Sequence, residues 1–244
     1  DDRESYVAPI VNSKFQETVF QKAFHAVGED IANTSYDASV VVDEQHKYLV
    51  GIKSFGLESG DQKIAQFKKD SQSWNELLSE IRFHAEISPD KETADKENQA
   101  RYEKLAREIA SLRNQRIESS KALIKGFHSD SSHVEAVYHV LMPTSKGHKP
   151  QIHVGETTYL PVDLDNLKIL GSTTKNNPTN FRFTDGHHDY KYTAADSQLH
   201  MTFRNKEIVV DTWDVNYVED PFYLFEHLHL LTSEKSDSEI LETV

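Results

Sequence analysis

The strongest constraint on the fold of this chain is a pair of short apolar runs separated by a polar turn. Residues 38–42 and 47–52 are rich in valine and other apolar residues, and the four residues between them are Asp, Glu, Gln and His. Such runs around a polar turn predict a strand hairpin. Helical spacing of apolar residues predicts one helix before the hairpin, within residues 9–28, and another after it, from residue 61 to about residue 84. The predicted opening order is helix, strand, strand, helix.

A long helix and a β-rich region are expected in the rest of the chain. Tyr102, Leu105, Ile109 and Leu112 recur at spacings of three and four in a segment rich in Glu, Lys, Arg and Ala, which predicts a helix with a narrow apolar stripe. We expect this stripe to seal against the core rather than to pair with a second copy of the chain. The expected organisation is an α/β protein with a core at residues 1–89, a connecting helix at 90–130, and a β-rich region with an acidic tail at 131–244.

Composition limits the kinds of site that the chain can form. It has no cysteine, which excludes disulfides, thiolate metal sites and cysteine nucleophiles. No apolar stretch reaches the roughly 18 residues of a membrane span, and the first residues show no pattern of a secretory leader. We therefore expect a soluble protein of a bacterial or phage-like cytoplasm, without a membrane partner.

The net charge of −13 at first argues against nucleic-acid binding. However, residues 211–244 carry nine carboxylates against one lysine, whereas residues 146–207 carry eight basic and seven acidic residues. Because the acidity is concentrated in the tail, a local basic surface remains compatible with the composition.

Two charged side chains are expected to converge at the hairpin. Asp37 stands at the start of the first strand, and Lys53 follows sixteen residues later at the end of the second. Adjacent strands lie about 4.8 Å apart, so both side chains can reach one point. Metal-dependent phosphodiester hydrolysis needs a carboxylate that holds Mg²⁺ against the phosphate and an ammonium that positions the attacking water. The alternative is the ordinary surface geometry of a hairpin that begins with Asp and ends with Lys.

With these residues, the stretch 15–69 resembles the PD-(D/E)XK nuclease superfamily. In its motif, a first Asp is followed on the next strand by an acid, any residue and Lys. Asp37 matches the first acid and Lys53 the Lys, whereas Gly51 stands where the motif has its second acid. The resemblance implies a restriction-endonuclease-like core of helix, mixed sheet and helix, and the activity of a type II restriction enzyme that requires Mg²⁺.

The resemblance also implies where a replacement for the missing acid is found. In some restriction enzymes of the superfamily the second acid comes from the following helix, about thirteen residues after the Lys, which is the position of Gln66. Its amide oxygen can hold a metal-bound water or the phosphate. Glu17 resembles the helix-borne acid of many members and is the favoured second metal ligand beside Asp37. Glu58 and Asp61 are further options in the intervening loop.

A polar hairpin in the β-rich region is the expected DNA-reading element. Residues 173–192 are predicted to fold around an Asp-Gly turn at 185–186. Asn pairs with adenine, Arg and Lys pair with guanine, and hydroxyls contact phosphates. The expected DNA contacts are Lys175, Asn176, Asn177, Asn180, Arg182 and Lys191. An ordinary polar hairpin, with its aromatic side chains packed beneath it, fits the same residues equally well.

The sequence thus predicts a Mg²⁺-dependent, sequence-specific endonuclease of double-stranded DNA, with Asp37, Glu17, Lys53 and Gln66 as its catalytic residues. Cleavage of both strands by a chain with one such site implies a homodimer. Phosphate-cradling glycine motifs and nucleophile elbows are absent from the sequence, which disfavours nucleotide and serine hydrolysis. Two alternatives remain: a non-catalytic DNA-binding protein on a decayed nuclease core, and a protein-interaction module that uses the stripe of residues 102–112 and the acidic tail.

Overall fold

The computed structural model describes residues 7–28, 35–43, 46–123 and 133–216, excluding the side chains of residues 122, 123 and 133. These residues form a mixed α/β protein with three α-helices and eleven strands. The helices are α1 (Ser13–Ala23), α2 (Asn75–Ile87) and α3 (Lys91–Leu123); the strands are β1 (Val27–Gly28), β2 (Ala38–Val41), β3 (His46–Ser54), β4 (Gln62–Gln66), β5 (His133–Pro143), β6 (Gln151–Thr158), β7 (Lys168–Thr174), β8 (Asn177–Thr184), β9 (Asp189–Thr193), β10 (Gln198–Met201) and β11 (Val209–Asp214). In the described part of the chain, no helix combines the length and the apolar character that crossing a membrane requires.

A six-stranded mixed sheet contains the predicted hairpin. Its strand order is β1-β2-β3-β5-β6-β11. Strands β2 and β3 pair antiparallel with Ala38 opposite Val50, which confirms the hairpin, whereas β3 and β5 are parallel. Because parallel neighbours need a long crossover, the chain between β3 and β5 has room for β4, α2 and α3.

A second sheet has five antiparallel strands in the order β4-β10-β9-β8-β7. The helix predicted from residue 61 is wrong at its start, because residues 62–66 form β4 and α2 begins only at Asn75, after a 3-10 turn at Ser71–Trp74. Pairing of β4 with β10 satisfies the backbone of this segment, and such tertiary pairing overrides local helical spacing. Each sheet takes strands from both sides of α3.

The main core joins α2 and α3 to one face of each sheet. Tyr102, Leu105 and Ile109 of α3 are fully buried, and the Tyr102 ring stacks on Phe181 with 4.9 Å between ring centroids. The predicted packing of the α3 stripe within the same chain is therefore confirmed, and this stripe is not a surface for a partner. A smaller cluster lies beneath α1 on the other face of the six-stranded sheet, formed by Phe20, Ala38, Val50 and Ile52.

Short-range signals set the ends of several elements. The Asn12 side chain accepts hydrogen bonds from the backbone N–H groups of Lys14 and Phe15, so α1 starts at Ser13 and is shorter than the predicted window. Pro89 separates α2 from α3. The β8–β9 hairpin turns at Asp185 and Gly186, where Gly186 has a φ of 84°, as the Asp-Gly pair predicts.

Candidate functional site

Asp37 directly precedes β2, and the register of β2 and β3 places it diagonally across from Lys53. Since Ala38 pairs with Val50, Asp37 is opposite Gly51, and Lys53 lies two residues farther along β3 on the same side. Such diagonal neighbours are about 7–8 Å apart, a distance that the long lysine side chain can bridge. Both residues are partly exposed. The register therefore places the acid and the lysine beside one another at the end of β3.

Backbone groups of β3 hold Asp37 in place. Its Oδ2 accepts a hydrogen bond from the N–H of Ile52 at 2.6 Å, and its own N–H donates to the carbonyl of Val50 at 2.9 Å. The backbone carbonyl of Lys53 accepts a hydrogen bond from Nε2 of Gln16, on α1, at 3.1 Å. These bonds hold Asp37 against β3 and hold the end of β3 against α1.

Two tyrosine rings fill the space beside Gly51. A Cβ atom at Gly51 would lie 2.8 Å from Cε2 of Tyr159 and 3.1 Å from Cδ1 of Tyr138. The two rings stack with 4.0 Å between centroids, and the Tyr159 hydroxyl donates to the carbonyl of Ser35 at 2.9 Å. The ring of Tyr159 therefore leaves no room for a side chain at Gly51, where the motif has its second acid.

A buried arginine lies behind these rings. Arg113 is 3% exposed; its Nη2 donates to the Tyr138 hydroxyl at 3.1 Å, and its Cζ lies 5.0 Å from the centre of the Tyr159 ring. Within the described residues, its Nε and Nη1 have no hydrogen-bond partner. Burial raises the pKa of both tyrosines, so both are neutral phenols at pH 7. The sequence carried a signal for this burial, because Arg113 stands four residues after Ile109 and four before Ile117, and residues at this spacing share one face of a helix.

Glu17 lies on the opposite face of the sheet. Helix α1 packs through Phe20 onto Val50 and Ile52, which alternate with Gly51 and Lys53. The Glu17 carboxylate accepts from Nζ of Lys14 at 2.8 Å. In the described ranges, no group of three or more side chains of His, Cys, Asp or Glu lies together so that it could hold a metal ion. The structure thus does not bring Glu17 to the side of the sheet that carries Asp37.

Gln66 and Glu58 are engaged elsewhere. Gln66 ends β4 opposite Gln198 in the five-stranded sheet, and its Nε2 donates to the carbonyl of Asp196 at 3.0 Å. Its expected position on a helix was therefore wrong. Glu58 forms an ion pair with Lys206 at 2.9 Å.

Asp61 is the centre of an ion-pair cluster in the five-stranded sheet. Its carboxylate accepts from Arg182, from Oγ1 of Thr202 at 2.8 Å and lies 3.1 Å from Nζ of Lys191. Burial alone would raise its pKa, but the hydrogen bonds from Thr202, Arg182 and Lys191 together hold the pKa of Asp61 below its usual value. Nothing in the sequence spacing indicated this cluster, because its members come from two strands and two loops that are far apart in the sequence.

The expected DNA contacts fall in two separate places. Asn180, Arg182 and Lys191 lie on the five-stranded sheet, where Oδ1 of Asn180 accepts from the N–H of Ala194 at 2.9 Å. Lys175, Asn176 and Asn177 lie at the β7–β8 turn. There Nζ of Lys175 donates to the carbonyls of Ser88, at 2.7 Å, and Pro89, at 3.1 Å, beyond the end of α2. The aromatic residues of the hairpin pack beneath it in the main core.

Comparison with known proteins finds no match for this chain among protein-family models, curated proteins or solved structures. The fold defines it as a mixed α/β protein with a mixed six-stranded sheet and an antiparallel five-stranded sheet.

Proposed function

We propose that the protein is a Mg²⁺-dependent endonuclease of double-stranded DNA, built on a restriction-endonuclease-like core. The observation that carries the proposal is the strand register, which puts Asp37, directly before β2, diagonally across from Lys53 of β3. The chain order of α1, the β2–β3 hairpin and α2 supports the resemblance, although β4 lies between the hairpin and α2. The parallel strand β5 beside β3 makes the sheet mixed, as in that expectation.

The residues present fit a magnesium ion that the protein holds through a single carboxylate. Mg²⁺ is commonly held by one or two carboxylates, with waters and substrate phosphate oxygens completing the shell. Asp37 supplies one carboxylate, fixed by the N–H of Ile52. When bound, the ion supplies Lewis-acid polarisation of the phosphate. Lys53 orients the attacking water and offsets the charge that develops on the phosphate. Glu17 and Gln66 stay predictions from the resemblance, and the proposal does not depend on them.

The test is cleavage of closed-circular duplex DNA by the purified chain with Mg²⁺ or with EDTA. We expect cleavage that requires Mg²⁺ and is lost in Lys53→Ala and Asp37→Asn. The matched control is Lys22→Ala, which removes an exposed lysine from α1 and should leave cleavage unchanged. Discrete linear fragments would indicate sequence-specific cutting of both strands, and hence a homodimer with two sites. DNA that stays intact with the wild-type chain and Mg²⁺ would refute the nuclease proposal.

One observation favours a second candidate, a protein that binds DNA without cutting it. The Tyr159 ring closes the Gly51 position, and one carboxylate binds Mg²⁺ more weakly than two. This candidate predicts duplex binding that is sensitive to salt and independent of Mg²⁺. Binding without cleavage in the assay above would select it over the nuclease.

A further inference from the structure

Four basic side chains form a row across the outer side of the five-stranded sheet. Arg182 pairs with Lys191, Lys191 with His200, and His200 with Lys63, so the row crosses β8, β9, β10 and β4. The residues that alternate with them are buried in the main core, namely Phe181, Phe183, Tyr190, Tyr192, Leu199 and Met201. The basic side chains therefore point away from the core.

Asp61 partly neutralises one end of this row. Its carboxylate, with 9% of the side chain exposed, contacts both Arg182 and Lys191, whose side chains are 37% and 27% exposed. Lys63, at the other end, is exposed, and the described residues contain no ion pair to it. Burial, and next the charge of Lys191, lower the pKa of His200. Asp189, two residues from Lys191 on the same face of β9, is a second carboxylate near the row. Three cations thus face two carboxylates, and the row keeps a small positive balance.

We propose that this row binds the sugar-phosphate backbone of duplex DNA, and that Asp61 competes with a phosphate for Arg182 and Lys191. The inference rests on the proposed function and names the surface on which the duplex would lie. Four strands at about 4.8 Å spacing make the row roughly 14 Å long, close to the ~12 Å width of the major groove. The row can therefore contact phosphates on both sides of that groove, a docking mode open to β-sheets.

The experiment measures binding of a fluorescent duplex by anisotropy between 50 and 200 mM NaCl, in EDTA and in a Lys53→Ala background that prevents cleavage. Lys63→Gln should weaken binding, up to about tenfold at 100 mM salt, and reduce the salt slope by about one. Asp61→Asn should do the opposite, because it frees two cations while keeping a hydrogen-bond acceptor for Thr202. The matched control is Lys104→Gln, which removes an exposed charge from α3 and should leave binding unchanged.

Opposite shifts for Lys63→Gln and Asp61→Asn would support the inference. If Lys63→Gln binds like the Lys104→Gln control, the inference is overturned even when the chain binds and cleaves DNA. If the parent protein binds no duplex at 50 mM salt, this inference and both functional candidates fail together. Circular dichroism checks folding; if Asp61→Asn unfolds, Lys63→Gln and Lys63→Glu decide alone, with the larger loss expected for the glutamate.

Discussion

Replacing Gly51 by alanine tests whether the tyrosine pair excludes a side chain from the strand position of the missing acid. The new Cβ would lie 2.8 Å and 3.1 Å from ring carbons of Tyr159 and Tyr138, well inside ordinary carbon contact at about 3.5–4.0 Å. Neither ring moves easily, because they stack on one another and the Tyr159 hydroxyl is bound to Ser35. Overpacking of this kind costs about 1–3 kcal/mol. In a chain of this size the melting temperature should fall by roughly 2–12 °C.

Urea unfolding at pH 7 measures this cost. The control is Gly60→Ala, where no atom lies within 4 Å of the new Cβ, so the change in unfolding free energy should stay within about 0.5 kcal/mol. In a Tyr159→Leu background the cost of Gly51→Ala should fall, because the contacting ring is gone, and the difference gives the coupling energy. Equal stability of Gly51→Ala and Gly60→Ala would refute the reasoning.

Three further predictions concern charged side chains whose partners the structure defines. Arg113→Met should leave the unfolding free energy within about 1 kcal/mol of wild type in urea melts, because an apolar side chain of similar length replaces a buried charge that has no ion-pair partner among the described residues. Arg113→Ala should lose more than about 2 kcal/mol, and equal losses for both variants would contradict this reasoning. Lys175→Met should lower stability by about 0.5–1 kcal/mol, because the contact with the end of α2 is lost, and should leave duplex affinity unchanged. A loss of affinity as large as that of Lys63→Gln would instead show that Lys175 contacts DNA. Because the pKa of Asp61 is lowered in the folded state, Asp61 contributes stability that is complete above its unfolded pKa of about 3.9 and is lost as pH falls through the folded value. The stability difference between wild type and Asp61→Asn should therefore shrink in urea melts from pH 7 to pH 3. A constant difference would contradict the pairing of Asp61 with Arg182 and Lys191.

The elements that sequence reasoning predicted are those with a strong local pattern. The hairpin of β2 and β3, the long helix α3 and the Asp-Gly turn all follow from periodicity or turn chemistry within one segment. The pairing of β4 with β10 does not, because it joins residues that are more than 130 positions apart. A helical spacing over residues 61–67 therefore predicted the wrong element.

The candidate site likewise contains residues that a local pattern places and residues that only long-range pairing brings together. The proximity of Asp37 and Lys53 follows from one hairpin, so a register argument places both residues. The ring of Tyr159 beside Gly51 depends on β5 and β6, which come after a long helical crossover. The Asp61 cluster depends on β8, β9 and two loops beside the other sheet. No spacing rule relates such residues, and their burial and pairing emerge only from the folded chain.

The loop between β3 and β4 connects the two proposed surfaces, and Asn205 is the residue that tests whether this connection matters. Its Nδ2 donates to the carbonyls of Leu57, at 2.8 Å, and Ser59, at 2.9 Å, and the Leu57 N–H donates to Pro143 beside the end of β5. The loop thus links β3, which carries Lys53, to β4, which carries Lys63.

Asn205→Ala leaves two carbonyls without their donor, which should cost about 1–3 kcal/mol of stability. If the duplex is bound on the five-stranded sheet and cut at Asp37 and Lys53, loosening this loop should slow cleavage at saturating DNA while the dissociation constant in EDTA stays unchanged, since misplacement affects the reaction rather than the binding. Assays well below the melting temperature separate this effect from unfolding, and Asn166→Ala, in an exposed turn, is the control. An unchanged cleavage rate would mean that the loop does not transmit the position of the bound duplex to the catalytic pair.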